Sequence, residues 1–399
     1  MADRTAASRS LPLLVVVIVL AAAMLRGPIL AVAPVAGEIG DDLHVGAGVV
    51  GLLTTIPVLC FAACAPLAIA IIRRAGADVA LSLTLTGVVI GSVLRSLDGI
   101  VLALIGTAVL GAFVTIGNVV LPIIIAREFS PRRAHTMTGV YTAALNVGTM
   151  TVTLGTAPFS DAVGWRWAIA SWSVFALVAL LAWVALRGVR AAFAPTPGTR
   201  PDADAPRVSV LRHGPTWLLA AAFCGQAFAF YAITAWLPTM LSAQGFDTTA
   251  AGAIASLFQV GGMIGSLLLP IVTLRSSILV GTLYVGIGWL AVPLGFLFAP
   301  SLWLAWCIVG GLAQGGGITI VFIMINAFGD DEHTTAGRSG VVQGFGYAVA
   351  ATGPLVLGAL HEATGAWTVP LLVELVAVLL FLGPGVAVAR HLRAARPVS

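Results

Sequence analysis

Arg26 is the side chain of this sequence with the clearest capacity for chemistry, because it lies near the middle of a long apolar stretch. That stretch, residues 11–35, contains no other charged side chain. An arginine at the centre of a bilayer costs about 2.5–3.5 kcal/mol on insertion scales, so it normally faces a partner, a wet cavity or a bound anion. Its planar fork of donors suits a carboxylate or a similar anion, which makes Arg26 a candidate anion ligand. Snorkelling to an interface is the alternative, and the distance to both ends of the stretch disfavours it.

A second set of polar side chains lies at a similar depth in other apolar stretches, where they could form hydrogen bonds with a solute. An amide without a partner is costly in hydrocarbon, so these positions are informative. Hydrogen bonding between helices is the alternative role, and such bonds contribute only about 0.6 kcal/mol on average. The candidate solute-binding residues are Asn118, Asn146, Gln226, Tyr231, Gln314, Gln343 and Tyr347, and Gln259 lies at a similar depth.

Three weaker signals concern coupling and gating. Glu374 is the only acid within a predicted span, so it is a candidate for proton coupling, although its distance from the middle favours a position facing the interface. Arg73 and Arg74 follow the second span and either set the orientation of the chain alone or also close a cytoplasmic gate. Prolines within spans mark candidate kinks or gating hinges, namely Pro28, Pro34 and Pro354.

The composition identifies the elements that must hold these side chains. Of the 399 residues, 59% are hydrophobic and 9% are charged, whereas about 25% charged residues is usual in soluble proteins. The sequence therefore predicts an all-α, polytopic membrane protein. The cysteines all lie in apolar stretches, so we expect no disulfide, no metal site and no cofactor; they are Cys60, Cys64, Cys224 and Cys307.

Twelve apolar stretches are long enough to cross a bilayer, which takes about 20 residues. They are residues 11–36, 47–70, 79–97, 100–125, 136–159, 165–186, 215–240, 250–272, 277–298, 302–326, 337–360 and 367–389. A polar, proline-containing stretch separates the sixth from the seventh. We therefore predict two pseudo-symmetric six-helix bundles, residues 1–186 and 215–399, joined by a cytoplasmic linker at residues 187–214. Similar glycine-rich strings recur at an offset of about 200 residues, as a parallel repeat of two halves would require.

The arginines predict the orientation. The chain contains no lysine, and its 20 arginines lie in predicted cytoplasmic segments with the exceptions of Arg26, Arg95 and Arg166. The positive-inside rule then places both termini in the cytoplasm and the protein in the cytoplasmic (inner) membrane. The third, sixth, ninth and twelfth spans contain no Asn or Gln, so we expect them to lie outside a central cavity lined by the other eight.

Five segments carry a family resemblance: LRGPILAVAP from Leu25, GLLTTIPVLCFAACAPLA from Gly51, GNVVLPIIIAREF from Gly117, AWLPTML from Ala235 and QGFGYAVAATGPLVLGALHEATGAW from Gln343. Over its full length the chain resembles the major facilitator superfamily and, within it, the cyanate permease and nitroimidazole transporter family. Arg26 and Pro34 keep a family spacing, whereas Met24 stands where the family often has Asn. The loop after the second span normally carries an Asp, which residues 66–76 lack. The resemblance implies alternating access and a small, often anionic solute.

These observations lead to one main hypothesis and several alternatives. The main hypothesis is secondary active transport of a small anion, cyanate-like or a small organic acid, with Arg26 as its ligand. The alternative is export of a weakly polar aromatic compound such as a nitroimidazole. An enzyme is disfavoured because no catalytic cluster lies at depth, and a channel because no ring of charges is visible. The expected partners are the solute, the lipid bilayer and protons as a candidate coupling ion, with no nucleic acid and a monomeric state.

Overall fold

The computed structural model describes residues 2–195, 210–246, 248–328 and 332–394, and within these residues the chain is helical without strands. The α-helices are α1 (Ala2–Leu30), α2 (Ala36–Leu43), α3 (Ala47–Ala63), α4 (Ala65–Arg95), α5 (Ile100–Glu128), α6 (Pro131–Val163), α7 (Trp165–Ser171), α8 (Ser173–Arg187), α9 (Val189–Phe193), α10 (Gly214–Ser242), α11 (Thr248–Arg275), α12 (Ile278–Phe298), α13 (Trp303–Ala327), α14 (Glu332–Ala350), α15 (Gly353–Thr364) and α16 (Thr368–Ala394). Short 3₁₀ turns lie at Ala33–Val35, Val210–Arg212 and Pro300–Leu302.

Each predicted span is helical over most of its length in the described residues, so the predicted all-α membrane architecture is confirmed. Within the described residues, ten helical stretches are long and apolar enough to cross a membrane. The helix α6 is not among them although it has 33 residues, because it is rich in Thr and carries Arg132 and Arg133. The second span is divided at Cys64, and its end continues into α4.

Breaks in the helices occur where proline and glycine punctuate the sequence. The α-helix of the first span stops at Leu30, and Pro34 lies in a 3₁₀ turn before α2. Pro354 lies in the first turn of α15, just after a break that follows α14. Inside α4, Gly76 has a φ of +86°, a conformation that glycine adopts without steric cost, so the chain turns there between the second and third spans. Pro28 lies within α1.

The chain forms two compact units. The first unit comprises Met1–Arg127 and Ala144–Arg207, and the second comprises Glu128–Ala143 and Val208–Ser399. The first half of α6 thus groups with the second unit, where the hydroxyl oxygens of Thr142 and Thr319 are 2.6 Å apart. The division into bundles at residues 1–186 and 215–399 remains a prediction. Most of the predicted linker, residues 196–209, lies outside the described residues, and its first part forms α9.

Candidate functional site

Small residues fix the depth of Arg26 in the first unit. A β-carbon on Gly148 of α6 would lie 2.4 Å from the carbonyl oxygen of Ala23, and one on Gly27 would lie 2.9 Å from a methyl group of Val152. The backbones of α1 and α6 therefore meet directly, in the way that small residues allow membrane helices to approach. Arg26 is half-buried and projects from α1 at this crossing.

The helix α5 brings an amide to the same depth. A β-carbon on Gly117 would lie 2.5 Å from Cδ2 of Leu25, so α5 packs against α1 beside Arg26. The next residue, Asn118, is buried, as is Asn146, which precedes the α1–α6 contact by less than one turn. The structure thus places Arg26, Asn118 and Asn146 at one level of the first unit.

In the second unit, three helices present amides at a common level. The side-chain nitrogen of Gln314 on α13 donates to the carbonyl oxygen of Phe258 at 3.3 Å and to the side-chain oxygen of Gln259 at 3.4 Å. A β-carbon on Gly317 would lie 2.6 Å from the amide nitrogen of Gln226, so α10 packs its amide against the glycine-rich face of α13. The interhelical hydrogen bond that the sequence left open as an alternative is therefore present at Gln314.

The helix α14 contributes Gln343 and Tyr347, one turn apart. Gln343 donates to the hydroxyl of Ser339 at 2.8 Å, and the ring of Tyr347 meets that of Phe223 edge to face at 5.3 Å between centroids. Both side chains are buried. Tyr231 contacts Phe230 edge to face at 5.1 Å. Gln226, Gln314, Gln343 and Tyr347 are therefore buried, whereas Tyr231 is half-buried.

Glu374 corrects one expectation. Its side chain is 0% exposed, so the position facing the interface that its depth favoured is wrong. Its neighbours on α16, Val373 and Ala377, pack with Phe228 and Leu357 in an apolar cluster. Neither carboxyl oxygen has a hydrogen-bond partner within the described residues. Of the helices that pack against α16, α10, α12 and α13 contain no charged residue, and α15 carries His361 and Glu362 near its C-terminus. The sequence shows how far along α16 Glu374 lies, but it does not show which face of this apolar helix packs against protein.

The end of the first unit that carries the turn at Gly76 contains an ion-pair cluster that the sequence did not reveal. Asp78, two residues after the turn at Gly76, accepts a hydrogen bond from Arg127 at 2.5 Å and lies 3.6 Å from Nε of Arg187. The indole of Trp183 donates to the backbone oxygen of Asp78 at 3.3 Å. The part of α4 that follows the turn at Gly76 is thereby joined to the last residues of α5 and α8. The acid missing from residues 66–76 is thus supplied at Asp78, whereas Arg73 and Arg74 are exposed.

A second cluster that the sequence did not reveal lies where α10 and α14 begin and where α13 and α16 end. The buried Arg338 donates from Nε to the hydroxyl of Thr216 at 3.2 Å, and its guanidinium carbon lies 3.9 Å from the ring centre of Phe328. The ring of His213 lies 5.7 Å from that of Phe328 and 6.2 Å from that of His391. Burial, with the nearby charges of Arg338 and His391, lowers the pKa of His213. In the sequence, Arg338 stands out only as one of the arginines that predict the orientation of the chain in the membrane.

The opposite end of the first unit is acidic. The hydroxyl of Ser160 donates to Glu38 at 2.5 Å, and Arg166 pairs with Asp42 and, at 2.8 Å, with Asp98. A cavity of about 490 Å³ lies beside α2. Its lining residues are Val32, Ala36, Gly37, Gly40, Asp41, Val45, Val50, Gly51 and Thr54. Because Asp41 is the charged residue of this lining, the cavity does not suit an anion.

Comparison with known proteins identifies the family of this chain. Residues 13–338 match the model of the Major Facilitator Superfamily. The chain belongs to the major facilitator superfamily. The predicted resemblance and fold class are therefore confirmed, and the protein is a multi-pass membrane transporter rather than an enzyme.

Three relatives match nearly the whole chain. An uncharacterized transporter of Bacillus subtilis (strain 168), YycB, is 32% identical over 90% of this chain and 89% of the relative. The 2-nitroimidazole transporter of Escherichia coli (strain K12) is 29% identical over 89% of this chain and 90% of the relative. The cyanate transport protein CynX of the same strain is 24% identical over 88% of this chain and 91% of the relative. These matches place the protein with the cyanate and nitroimidazole transporters predicted from its motifs.

Solved structures support the fold. The proton:xylose symporter XylE is similar with a TM-score of 0.74, 13% identity, and coverage of 98% of this chain and 96% of that chain. The fucose:proton symporter FucP of E. coli is similar with a TM-score of 0.73, 14% identity, and coverage of 96% and 98%. At such identities the likeness shows the fold alone.

Proposed function

We propose that this transporter carries a small anionic solute, cyanate-like or a small organic acid, across the cytoplasmic membrane by alternating access. The observation that carries the proposal is the fixed depth of Arg26, held by the glycine contacts of α1 with α6 and α5. In a region of low dielectric, a guanidinium attracts an anion far more strongly than it does in water. Its paired donors match the planar oxygens of a carboxylate.

The amides complete the proposed solute site. Asn118 and Asn146 lie at the level of Arg26 in the first unit, and we assign Gln226, Gln314, Gln343, Tyr231 and Tyr347 of the second unit to the same solute. In this site Arg26 neutralises the charge of the solute, and the amide and hydroxyl groups orient the solute by hydrogen bonding. Gln314 also donates a hydrogen bond to Gln259, so in this proposal it positions a neighbouring side chain as well as the solute.

A second function has its own support. Aromatic contacts occur on the helices that carry the amides of the second unit, between the buried Phe223 and Tyr347 and between Phe230 and the half-buried Tyr231. Such rings suit a weakly polar aromatic compound, and one relative is named for 2-nitroimidazole. Export of an aromatic compound is therefore the alternative to anion transport.

The remaining assignments concern movement and placement. We propose that Pro28, Pro34 and Pro354 act as hinges and that Arg73 and Arg74 contribute to a cytoplasmic gate, since both arginines stand exposed before the turn at Gly76. Glu374 stays a candidate for proton coupling. Cytoplasmic termini, a position in the inner membrane and a monomeric state complete the proposal.

A binding assay in detergent tests the solute class. Purified wild type is titrated with cyanate, a series of monocarboxylates, neutral nitroaromatics and organic cations, and the titrations are repeated with Arg26→Gln. Arg166→Gln is the matched control, because Arg166 is bound to Asp42 and Asp98 outside the proposed site. We expect an anion to bind wild type and the control but not Arg26→Gln. Tight binding of a neutral aromatic with all three proteins would support the alternative, and preference for a cation would exclude both.

A further inference from the structure

The last residue of α4, Arg95, is a buried cation far from the level of Arg26. It is 1% exposed, and its Nε, Nη1 and Nη2 atoms have no hydrogen-bond acceptor in the described part of the chain. One turn earlier on the same helix, Ser92 is fully buried, and its hydroxyl also has no partner there. Four buried donor atoms are thus grouped at the end of the helix opposite the turn at Gly76.

Tight contact between α4 and α5 encloses this end of α4. A β-carbon on Gly106 would lie 2.3 Å from the backbone nitrogen of Arg95, and one on Gly91 would lie 2.6 Å from that of Leu110. Side chains of a helix lean towards its N-terminus, over residues three and four positions earlier. By this rule the Arg95 side chain lies over the turn of α4 that carries Gly91 and Ser92, and neither the guanidinium nor the Ser92 hydroxyl has a hydrogen-bond partner in the described residues.

The nearby acid is already engaged elsewhere. Asp98 follows Arg95 by three residues, but its side chain is 95% exposed and pairs with Arg166 at 2.8 Å. The backbone carbonyl of Ser92 accepts from the hydroxyl of Ser96 at 3.0 Å. Within the described residues the donors of Arg95 therefore lack an acceptor, which a bound ligand would supply.

The chemistry of arginine decides what that acceptor is. A guanidinium is not deprotonated in proteins, so Arg95 retains its charge where a lysine or a carboxyl could lose it. A buried charge without a partner is strongly unfavourable, and the dipole at the C-terminus of α4 offsets only a small part of this cost. We propose that Arg95 and Ser92 bind a small inorganic anion of chloride size, as a structural site separate from the solute site.

Halide-dependent stability tests this site. The melting temperature of the purified protein is followed while chloride or bromide replaces gluconate at constant ionic strength. We expect a saturable rise for wild type, a smaller rise for Ser92→Ala, and none for Arg95→Gln. Arg132→Gln, at an exposed position of α6, and Arg26→Ala should keep the wild-type rise, which separates the site from surface arginines and from the proposed solute site. An equal halide response in Arg95→Gln and wild type, or none in wild type, would overturn the proposal.

A second measurement is independent of whether Arg95→Gln folds. Wild-type crystals grown with bromide should show an anomalous scattering peak within contact distance of the Arg95 guanidinium and the Ser92 hydroxyl. Well-ordered density for both side chains without such a peak would equally overturn the anion site.

Discussion

At the scale of single residues, three ionisable groups in the spanning helices meet three different settings. Arg26 is half-buried at the crossing of α1 with α6, Arg95 is enclosed where α4 meets α5, and Glu374 is fully buried on a helix whose neighbouring residues belong to an apolar cluster of the second unit. An ionised carboxylate without a partner is very costly in such surroundings, whereas the neutral acid is tolerated. Glu374 therefore fits a neutral packing role better than a role as a charged ligand.

This setting predicts the behaviour of Glu374→Gln. Because glutamine has the shape of the neutral acid, the variant should fold and should retain most pH-driven uptake in proteoliposomes, while Glu374→Arg should lose expression by placing a permanent charge at a fully buried position. Uptake driven by a pH gradient and solute binding are measured on the same preparation. If Glu374→Gln bound solute normally but lost its pH dependence, Glu374 would be the coupling residue.

At the scale of helices, glycine contacts determine where the polar groups lie. The meeting of α1 and α6 at Gly148 sets the depth of Arg26, and the glycine-rich face of α13 receives the amide of Gln226. Larger side chains at these positions would separate the helices. The depth of a residue along its span and the positions of helix breaks can be predicted from the sequence. The faces by which helices contact each other cannot, because they depend on packing between segments that are distant in the chain.

Gly148→Val tests the helix contact directly. Its β-carbon would lie 2.4 Å from the backbone oxygen of Ala23, so α1 must move, and overpacking of this kind costs about 1–3 kcal/mol. We expect a lower melting temperature and weaker solute binding. Gly383→Ala on α16 is the control, since no atom lies within 4 Å of its added carbon. Unchanged binding in a destabilised Gly148→Val would show that this contact does not position Arg26.

The cluster at the ends of α10, α13, α14 and α16 predicts a dependence of stability on pH. The pKa of His213 is lowered in the folded protein by burial, Arg338 and His391, so the unfolded chain binds the proton more readily. Stability should therefore fall as the pH decreases through the ordinary histidine value of about 6.5 towards the lowered folded value. The loss of melting temperature between about pH 7.5 and pH 5.5 should be smaller in His213→Gln than in wild type. His44→Gln, which changes an exposed histidine of the first unit, should behave like wild type; an equal loss in all three proteins would contradict the prediction.

At the scale of the whole molecule, the apolar stretches predicted the membrane architecture, and the motifs predicted the family. The site could be predicted only in part. Depth along a span is visible in the sequence, which is how Arg26 and the amides were found. Lipid-facing and protein-facing side chains are both apolar, however, so the sequence of α16 did not reveal which side of the helix holds Glu374. Asp78 pairs with Arg127 and Arg187, which are both remote from it in sequence. A single sequence contains no signal that joins these residues.

The orientation of the chain is testable by labelling from one side of the membrane. In a variant lacking the four native cysteines, single cysteines at Ser399 and at Ala299 should react from opposite sides, because the positive-inside rule places the C-terminus in the cytoplasm and the loop after α12 outside. A membrane-impermeant maleimide applied to intact cells should label only the cysteine at Ala299. Labelling of both positions from outside would contradict the twelve-span orientation.

The central claim is that Arg26 binds an anionic solute, and transport by Arg26 variants in proteoliposomes tests it most directly. The best-bound anion is supplied to wild type, Arg26→Ala, Arg26→Lys and the control Arg166→Ala. We predict no binding or transport by Arg26→Ala with folding retained, because the substitution removes an insertion cost of about 2.5–3.5 kcal/mol. Arg26→Lys should bind weakly, since it keeps the charge but loses the paired donors, and Arg166→Ala should transport normally. Transport by Arg26→Ala at the wild-type rate would contradict the claim.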